Sequence, residues 1–188
     1  MSAHSASKTV LVLGDSLSAE YGLPRGAGWV SLLERKLQAN KLNTAVLNAS
    51  ISGETSSGGK ARIQALIDKH HPAVVVIELG GNDGLRGLSL AASESNFRSI
   101  ISVAQKSGAK VLLIGMRLPP NYGRDYTEKF FQIYASLAKE ANIALVPFLL
   151  EGIADKPDLF QPDRIHPLAT AHPIMLANVW PFLMPLVR

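Results

Sequence analysis

The sequence predicts a three-layer α/β/α sandwich around a parallel sheet of about five strands, flavodoxin-like in architecture. Two observations carry this reading. Val10-Leu11-Val12-Leu13, Val74-Val75-Val76-Ile77 and Val111-Leu112-Leu113-Ile114 are continuous apolar runs, without the alternation of a half-solvated strand. Such strands are covered on both faces, as in parallel sheets. Between them lie segments with apolar residues three and four apart, long enough for the helical crossovers that parallel neighbours need.

The elements follow in order. The first strand, introduced by Lys8-Thr9, stops at Gly14, and Asp15-Ser16 occupy the position of a helix start. Pro24 and Gly26-Ala27-Gly28 form a loop; Trp29, Leu33 and Leu37 then recur at helical spacing. Thr44 to Leu47 is a short strand, and Lys60 to His70 a helix with Ile63, Leu66 and Ile67 inward. After the Val74–Ile77 strand, Ser89 to Ser107 is helical and ends at Gly108. The Val111–Ile114 strand, a helix from Tyr126 to Ala141 and a strand from Ile143 to Val146 come next. A last helix runs from about Leu168, interrupted or kinked at Pro181 and Pro185. No repeat or linker breaks the chain, so residues 1–188 read as a single domain, with 1–7 (His4 included) as a ragged extension.

Composition narrows the function. The chain has 188 residues, 47% hydrophobic and 18% charged, with a net charge of +4, which is a soluble globular balance. Arg62, Lys69, Arg86, Arg98 and Lys110 are scattered, and no basic run is interleaved with aromatics, which speaks against a nucleic-acid partner. The absence of cysteine excludes disulfides, a thiol nucleophile and Cys-ligated metals, and leaves the redox compartment undecided. No apolar run reaches transmembrane length, so stable membrane insertion is not expected, and residues 1–7 lack the apolar core of a signal peptide.

The unusual residues gather at strand ends. Strand one leads into Gly14-Asp15-Ser16, strand two into Ser50-Ile51-Ser52-Gly53-Glu54-Thr55, and strand three into Gly80-Gly81-Asn82-Asp83-Gly84. In open parallel sheets the ligand crevice lies outside these ends. Acyl transfer needs a nucleophile, a base, a group that orients the base, and donors for the oxyanion. Ser16 supplies the nucleophile. Of the histidines, His70-His71 sit at a helix end before Pro72, and His172 has nothing acidic beside it. His166 differs, because Asp163-Arg164-Ile165-His166-Pro167 puts a carboxylate three residues earlier. In a turn, that spacing brings Asp163 to the Nδ1 side of the ring and leaves Nε2 for the serine.

These blocks resemble a known family. Gly14-Asp15-Ser16-Leu17, Ser52-Gly53-Glu54-Thr55, Gly81-Asn82-Asp83 and Asp163-x-x-His166 match, in order, those of the GDSL or SGNH hydrolases. Gly80 to Gly87 and Arg117 to Gly123 are similar to the bacterial thioesterase I, lysophospholipase L1 and arylesterase branch. The resemblance implies an SGNH-hydrolase fold and a serine esterase acting on carboxylic esters or acyl thioesters through an acyl-enzyme, with no cofactor and no metal. It implies Ser16 as nucleophile, His166 as base, Asp163 as its partner, and an oxyanion hole of the Ser16 and Gly53 N–H groups with the Asn82 side chain. It also places Gly84–Gly87 and Leu118–Gly123 beside the acyl group, where Leu17, Leu85, Leu118 and Pro119 are expected to bind substrate. The resemblance implies a soluble periplasmic or secreted protein; the chain alone, without a leader, would be cytoplasmic.

Two positions depart from the pattern. Arg164 stands between acid and base where glycine is usual, and Glu20 replaces a small residue four positions after Ser16. Both are expected to face solvent. Three other readings compete. A metal-dependent phosphoesterase would use Asp15, Asp83 and Asp163. A flavodoxin-like nucleotide binder fits the fold, but Ser57-Gly58-Gly59-Lys60 lacks P-loop spacing and no Gly-x-Gly-x-x-Gly follows a strand. A non-catalytic lipid- or glycan-binding module would have no need of the Ser/Gly/Asn/His set.

Overall fold

The computed structural model describes residues 8–188; the extension expected at 1–7 lies outside the described residues. Five strands form one parallel sheet: β1 (Lys8–Gly14), β2 (Thr44–Asn48), β3 (Val74–Glu78), β4 (Lys110–Ile114) and β5 (Ala144–Val146). Their order is β2-β1-β3-β4-β5. In register, Val10 lies beside Val46 and Val74, and Gly14 beside Glu78. β1 and β3 are fully covered over their apolar runs, which is why those runs lack polar alternation.

Among the described residues six α-helices complete the layers: α1 (Trp29–Ala39), α2 (Ser56–His70), α3 (Gly81–Leu85), α4 (Leu90–Lys106), α5 (Arg124–Ala141) and α6 (His172–Val187). α1 and α6 pack together on one face, and α2, α4 and α5 on the other. Trp29, Leu33 and Leu37 form the buried stripe of α1. Among the described residues, no helix is long and apolar enough to cross a membrane.

The structure corrects three expectations. α2 begins four residues before Lys60, because the Thr55 hydroxyl accepts from Gly58 N–H and caps it. α6 runs unbroken through Pro181 and Pro185. Ala177, Pro181 and Pro185 all lie on its exposed side, so the carbonyls that the prolines leave without a donor need no protein partner. Ser16 opens a single turn instead of a helix: the N–H groups of Ser18 and Ala19 both reach Asp15 O, and Glu20 then takes a left-handed φ of 60°. His70-His71 close α2 as read, with His71 in the left-handed C-cap position.

The chain turns from β1 outward to β2 and then returns to place β3 on the other side of β1. The carboxyl ends of β1 and β3 therefore flank the topological switch point, where open α/β sheets hold their ligands.

Candidate active site

Ser16 follows β1 directly, and two neighbours set its geometry. Asp15 Oδ1 accepts from Leu17 N–H at 3.0 Å, and Asp15 N–H donates to Glu78 Oε2 at 3.3 Å. The turn is thereby locked, and the Ser16 N–H is left with no acceptor among the described residues. The Ser16 hydroxyl meets His166 Nε2 at 2.8 Å, and His166 Nδ1 meets Asp163 Oδ2 at 2.6 Å. Proton positions on the ring follow from its partners, and a carboxylate on Nδ1 favours the tautomer whose Nε2 can accept.

Asp163 and His166 are brought together by a tight turn. Asp163 Oδ1 accepts from the N–H groups of Ile165 and His166, and Arg164 carries a φ of 58°. Arg164 thus adopts the left-handed conformation that suits glycine, which explains what glycine would do at this position. Burial alone would raise the Asp163 carboxyl. The hydrogen bonds from the His166 N–H and ring and from Ile165 N–H outweigh it and hold the group down at about 2. The loop is fastened to the segment after Ser16 by Gln161, which donates to Tyr21 O at 3.0 Å and, from its backbone, to His166 O at 2.7 Å. The Tyr21 ring lies 4.4 Å from the His166 ring, centre to centre. Nothing local in the sequence signals that contact.

Gly53 has a φ of 80°, a conformation that rarely admits a side chain, and its N–H has no acceptor among the described residues. Arg86 donates to Gly53 O at 3.0 Å, tying this loop to the one after β3. Asn82 Nδ2 donates to Asp15 Oδ2 at 3.1 Å and to Glu54 O at 3.0 Å. Four separate segments therefore meet: Ser16 contacts His166, and Asn82 binds Asp15 and Glu54, the residues next to Ser16 and Gly53. The four apolar residues do not share one environment. Leu17 and Leu118 are buried members of the core, Leu85 is half-buried against it, and Pro119 is exposed. Leu118 packs under the loop after β3, so close that a Cβ on Gly84 would lie 2.5 Å from its Cδ2.

Glu20 does not face solvent as expected. Its carboxylate accepts from the N–H groups of Gly26 and Gly28 and from the Ser31 hydroxyl, pinning the 22–28 loop. Burial raises this group, and the three donors bring it below its ordinary value. Asp83 is fully occupied by Ser56 N–H and by the hydroxyls of Ser56 and Ser93, and Asp163 by His166. Among the described residues no three acidic or histidine side chains form a metal cluster. His172 is also committed: its Nδ1 accepts from Trp29 N–H at 2.9 Å, at the first turn of α1.

Comparison with known proteins gives matches to a family model, to characterised relatives and to a solved structure. The profile of the GDSL-like lipase/acylhydrolase family matches residues 12–174. An esterase named TesA from Pseudomonas aeruginosa is 50% identical over 182 residues, covering 97% of this chain and 90% of its own. A thioesterase 1/protease 1/lysophospholipase L1 from Escherichia coli K12 is 46% identical over 183 residues, covering 97% and 86%. The crystal structure of the psychrotrophic esterase EstA from Pseudoalteromonas, inhibited by monoethylphosphonate, superposes with a TM-score of 0.90. That match has 38% identity and covers 95% of this chain and 97% of that one. A family match across most of the chain, relatives near half identity and a shared fold lead to one conclusion: the chain belongs to the GDSL-like lipase/acylhydrolase family and is an ester hydrolase of the SGNH type.

Proposed function

We propose that this hydrolase cleaves acyl esters and thioesters, lysophospholipids among them, through an acyl-enzyme on Ser16. The observation that carries the reading is the relay Ser16 Oγ–His166 Nε2–Asp163, at 2.8 and 2.6 Å. Ser16 Oγ attacks the carbonyl carbon while His166 Nε2 takes its proton. The same proton then goes to the departing alcohol or thiol, and a water deprotonated by His166 releases the acyl group. Asp163, ionised throughout, stabilises the imidazolium.

The developing oxyanion is held by Ser16 N–H, Gly53 N–H and Asn82 Nδ2. The two backbone donors are free to accept this role. Asn82 already donates to Asp15 and Glu54, and an anion displaces the neutral Glu54 carbonyl because charge-assisted hydrogen bonds are the stronger ones. On the acyl side, Leu85 and Pro119 line the cleft, with Leu118 and Leu17 supporting them from the core. The setting is a periplasmic or extracellular one, on the family resemblance alone.

The test is Ser16→Ala with an alkylphosphonate probe and a nitrophenyl ester. Turnover and labelling should both vanish while the thermal transition stays, and mass spectrometry of the wild type should place a single adduct on Ser16. An adduct on Ser18, Ser50 or Ser52 would overturn the assignment.

A further inference from the structure

Glu78, the last residue of β3, is fully buried, and the relay described above makes no use of it. Its Oε2 accepts from the Ser18 hydroxyl at 2.6 Å and from Asp15 N–H at 3.3 Å. Ser18 Oγ in turn accepts from Trp29 Nε1 at 3.2 Å, so its one hydrogen is committed to Glu78. Oε1 accepts from no donor among the described residues. A buried carboxylate with an orphaned oxygen is costly. Beside it is a second buried carboxyl, that of Asp15, whose own N–H binds Glu78 Oε2 and whose charge acts on Glu78.

Two carboxylates in contact inside a protein do not both ionise, so the pair retains a proton. The partners decide where it sits. Asp15 accepts from Leu17 N–H and from Asn82 Nδ2 and is drawn toward its charged form by His166. Glu78 has two donors on Oε2 and none on Oε1, which makes Oε1 the hydroxyl oxygen. Tyr134, the titratable group packed nearby from α5, donates to Leu79 O at 2.9 Å and is not available to either carboxyl. Burial pushes both acids up, Asp15 to about 6 and Glu78 well above its ordinary value, and the Asp15 charge pushes Glu78 further.

We infer that Glu78 is a positioning residue: a neutral carboxyl whose O–H donates to Asp15 and so fixes Asp15 as the acceptor that aims Asn82 Nδ2 at the oxyanion. The inference rests on the role proposed above for Asn82. It explains why a strand otherwise made of valine and isoleucine ends in an acid.

Three variants and one spectrum test it. Glu78→Gln keeps the arrangement, with an amide carbonyl in place of Oε2 and an N–H in place of the O–H. Glu78→Met keeps the length and removes the donor. Glu78→Met should lower kcat by about 10- to 100-fold with KM within about twofold, and Glu78→Gln should recover most of that loss. In an Asn82→Ala background, itself about 10²–10³ lower in kcat, Glu78→Met should cost less than about threefold more. Infrared difference spectra should show the carbonyl stretch of a protonated carboxyl in the wild type, absent in Glu78→Gln. That band reports whether or not Glu78→Met folds.

A missing band overturns the inference, as does a Glu78→Gln enzyme no better than Glu78→Met. An undiminished Glu78→Met penalty in the Asn82→Ala background also overturns it, because that pattern means a purely structural role. An Asn82→Ala enzyme with unchanged kcat would instead bring down the oxyanion assignment, and the route from Glu78 to catalysis with it.

Discussion

Asp163→Asn separates two things that the acid does. The asparagine oxygen can still accept from Ile165 and His166 N–H, so the turn that presents His166 survives. Its amide nitrogen then faces His166 Nδ1, where the carboxylate stood at 2.6 Å. An N–H donor there favours the tautomer with hydrogen on Nε2, directed at Ser16, which cannot take the serine proton. Exchanging a charged hydrogen bond for a neutral one costs roughly 1–2 kcal/mol, a factor of about 5–30 in rate. Turning the ring back to the productive tautomer breaks one further hydrogen bond, worth about another tenfold. The expected loss in kcat is therefore about 50- to 300-fold. It stays below the ~10⁴ of a fully buried triad because the Asp163 side chain is 38% exposed and water can replace part of its effect. The assay is single-turnover acylation by a nitrophenyl acetate, beside the rate of phosphonate labelling. Thermal melts should match the wild type, since the turn is retained. Should Asp163→Asn keep more than about a third of kcat, Asp163 is a turn former and the relay ends at His166.

Two further outcomes follow from the packing and the charges. Leu118→Ala removes the side chain under Gly84, so it should cost about 2–4 kcal/mol in stability and lower kcat/KM for long acyl esters more than for acetyl esters. Equal losses at every chain length, measured from acetyl to palmitoyl, would mean that Leu118 only supports the site. Asp15 has a folded value of about 6 against 3.8 for the free group, so the folded protein binds a proton that the unfolded chain has released. Its contribution to stability is most favourable below about 4 and declines as pH rises through about 6, by up to roughly 3 kcal/mol. Urea denaturation at about pH 4.5 and 7.5 should show a smaller decline for Asp15→Asn than for the wild type. Comparing the two proteins cancels His172, whose lowered value acts in the opposite sense. An unchanged slope would mean that Asp15 is not the strained charge.

How much of this was legible depended on whether the signal was local. β1, β3 and β4 could be read from composition because burial on both faces leaves no room for polar residues. Asp163 and His166 could be paired because a three-residue turn is a local object. α3 escaped notice because Gly81-Asn82-Asp83-Gly84 is a poor helix on propensity, and the tertiary bonds of Asp83 to Ser56 and Ser93 hold it. The prolines of α6 misled because their effect depends on which side of the helix they occupy. Glu20 and Glu78 were silent for another reason. The first finds its partners six to eleven residues on and the second sixty or more residues away, so periodicity gives no hint of either.

Ser16 and His166 are 150 residues apart in the chain, the one leaving the first strand and the other preceding the last helix. During synthesis Ser16 is made first, and the base proposed for it, His166, follows 150 residues later. At about 5–20 residues per second that interval is roughly 8–30 s. An unassisted serine hydroxyl is a weak nucleophile, so with the roles proposed above no acyl-enzyme forms until residue 166 has been made and folded into place.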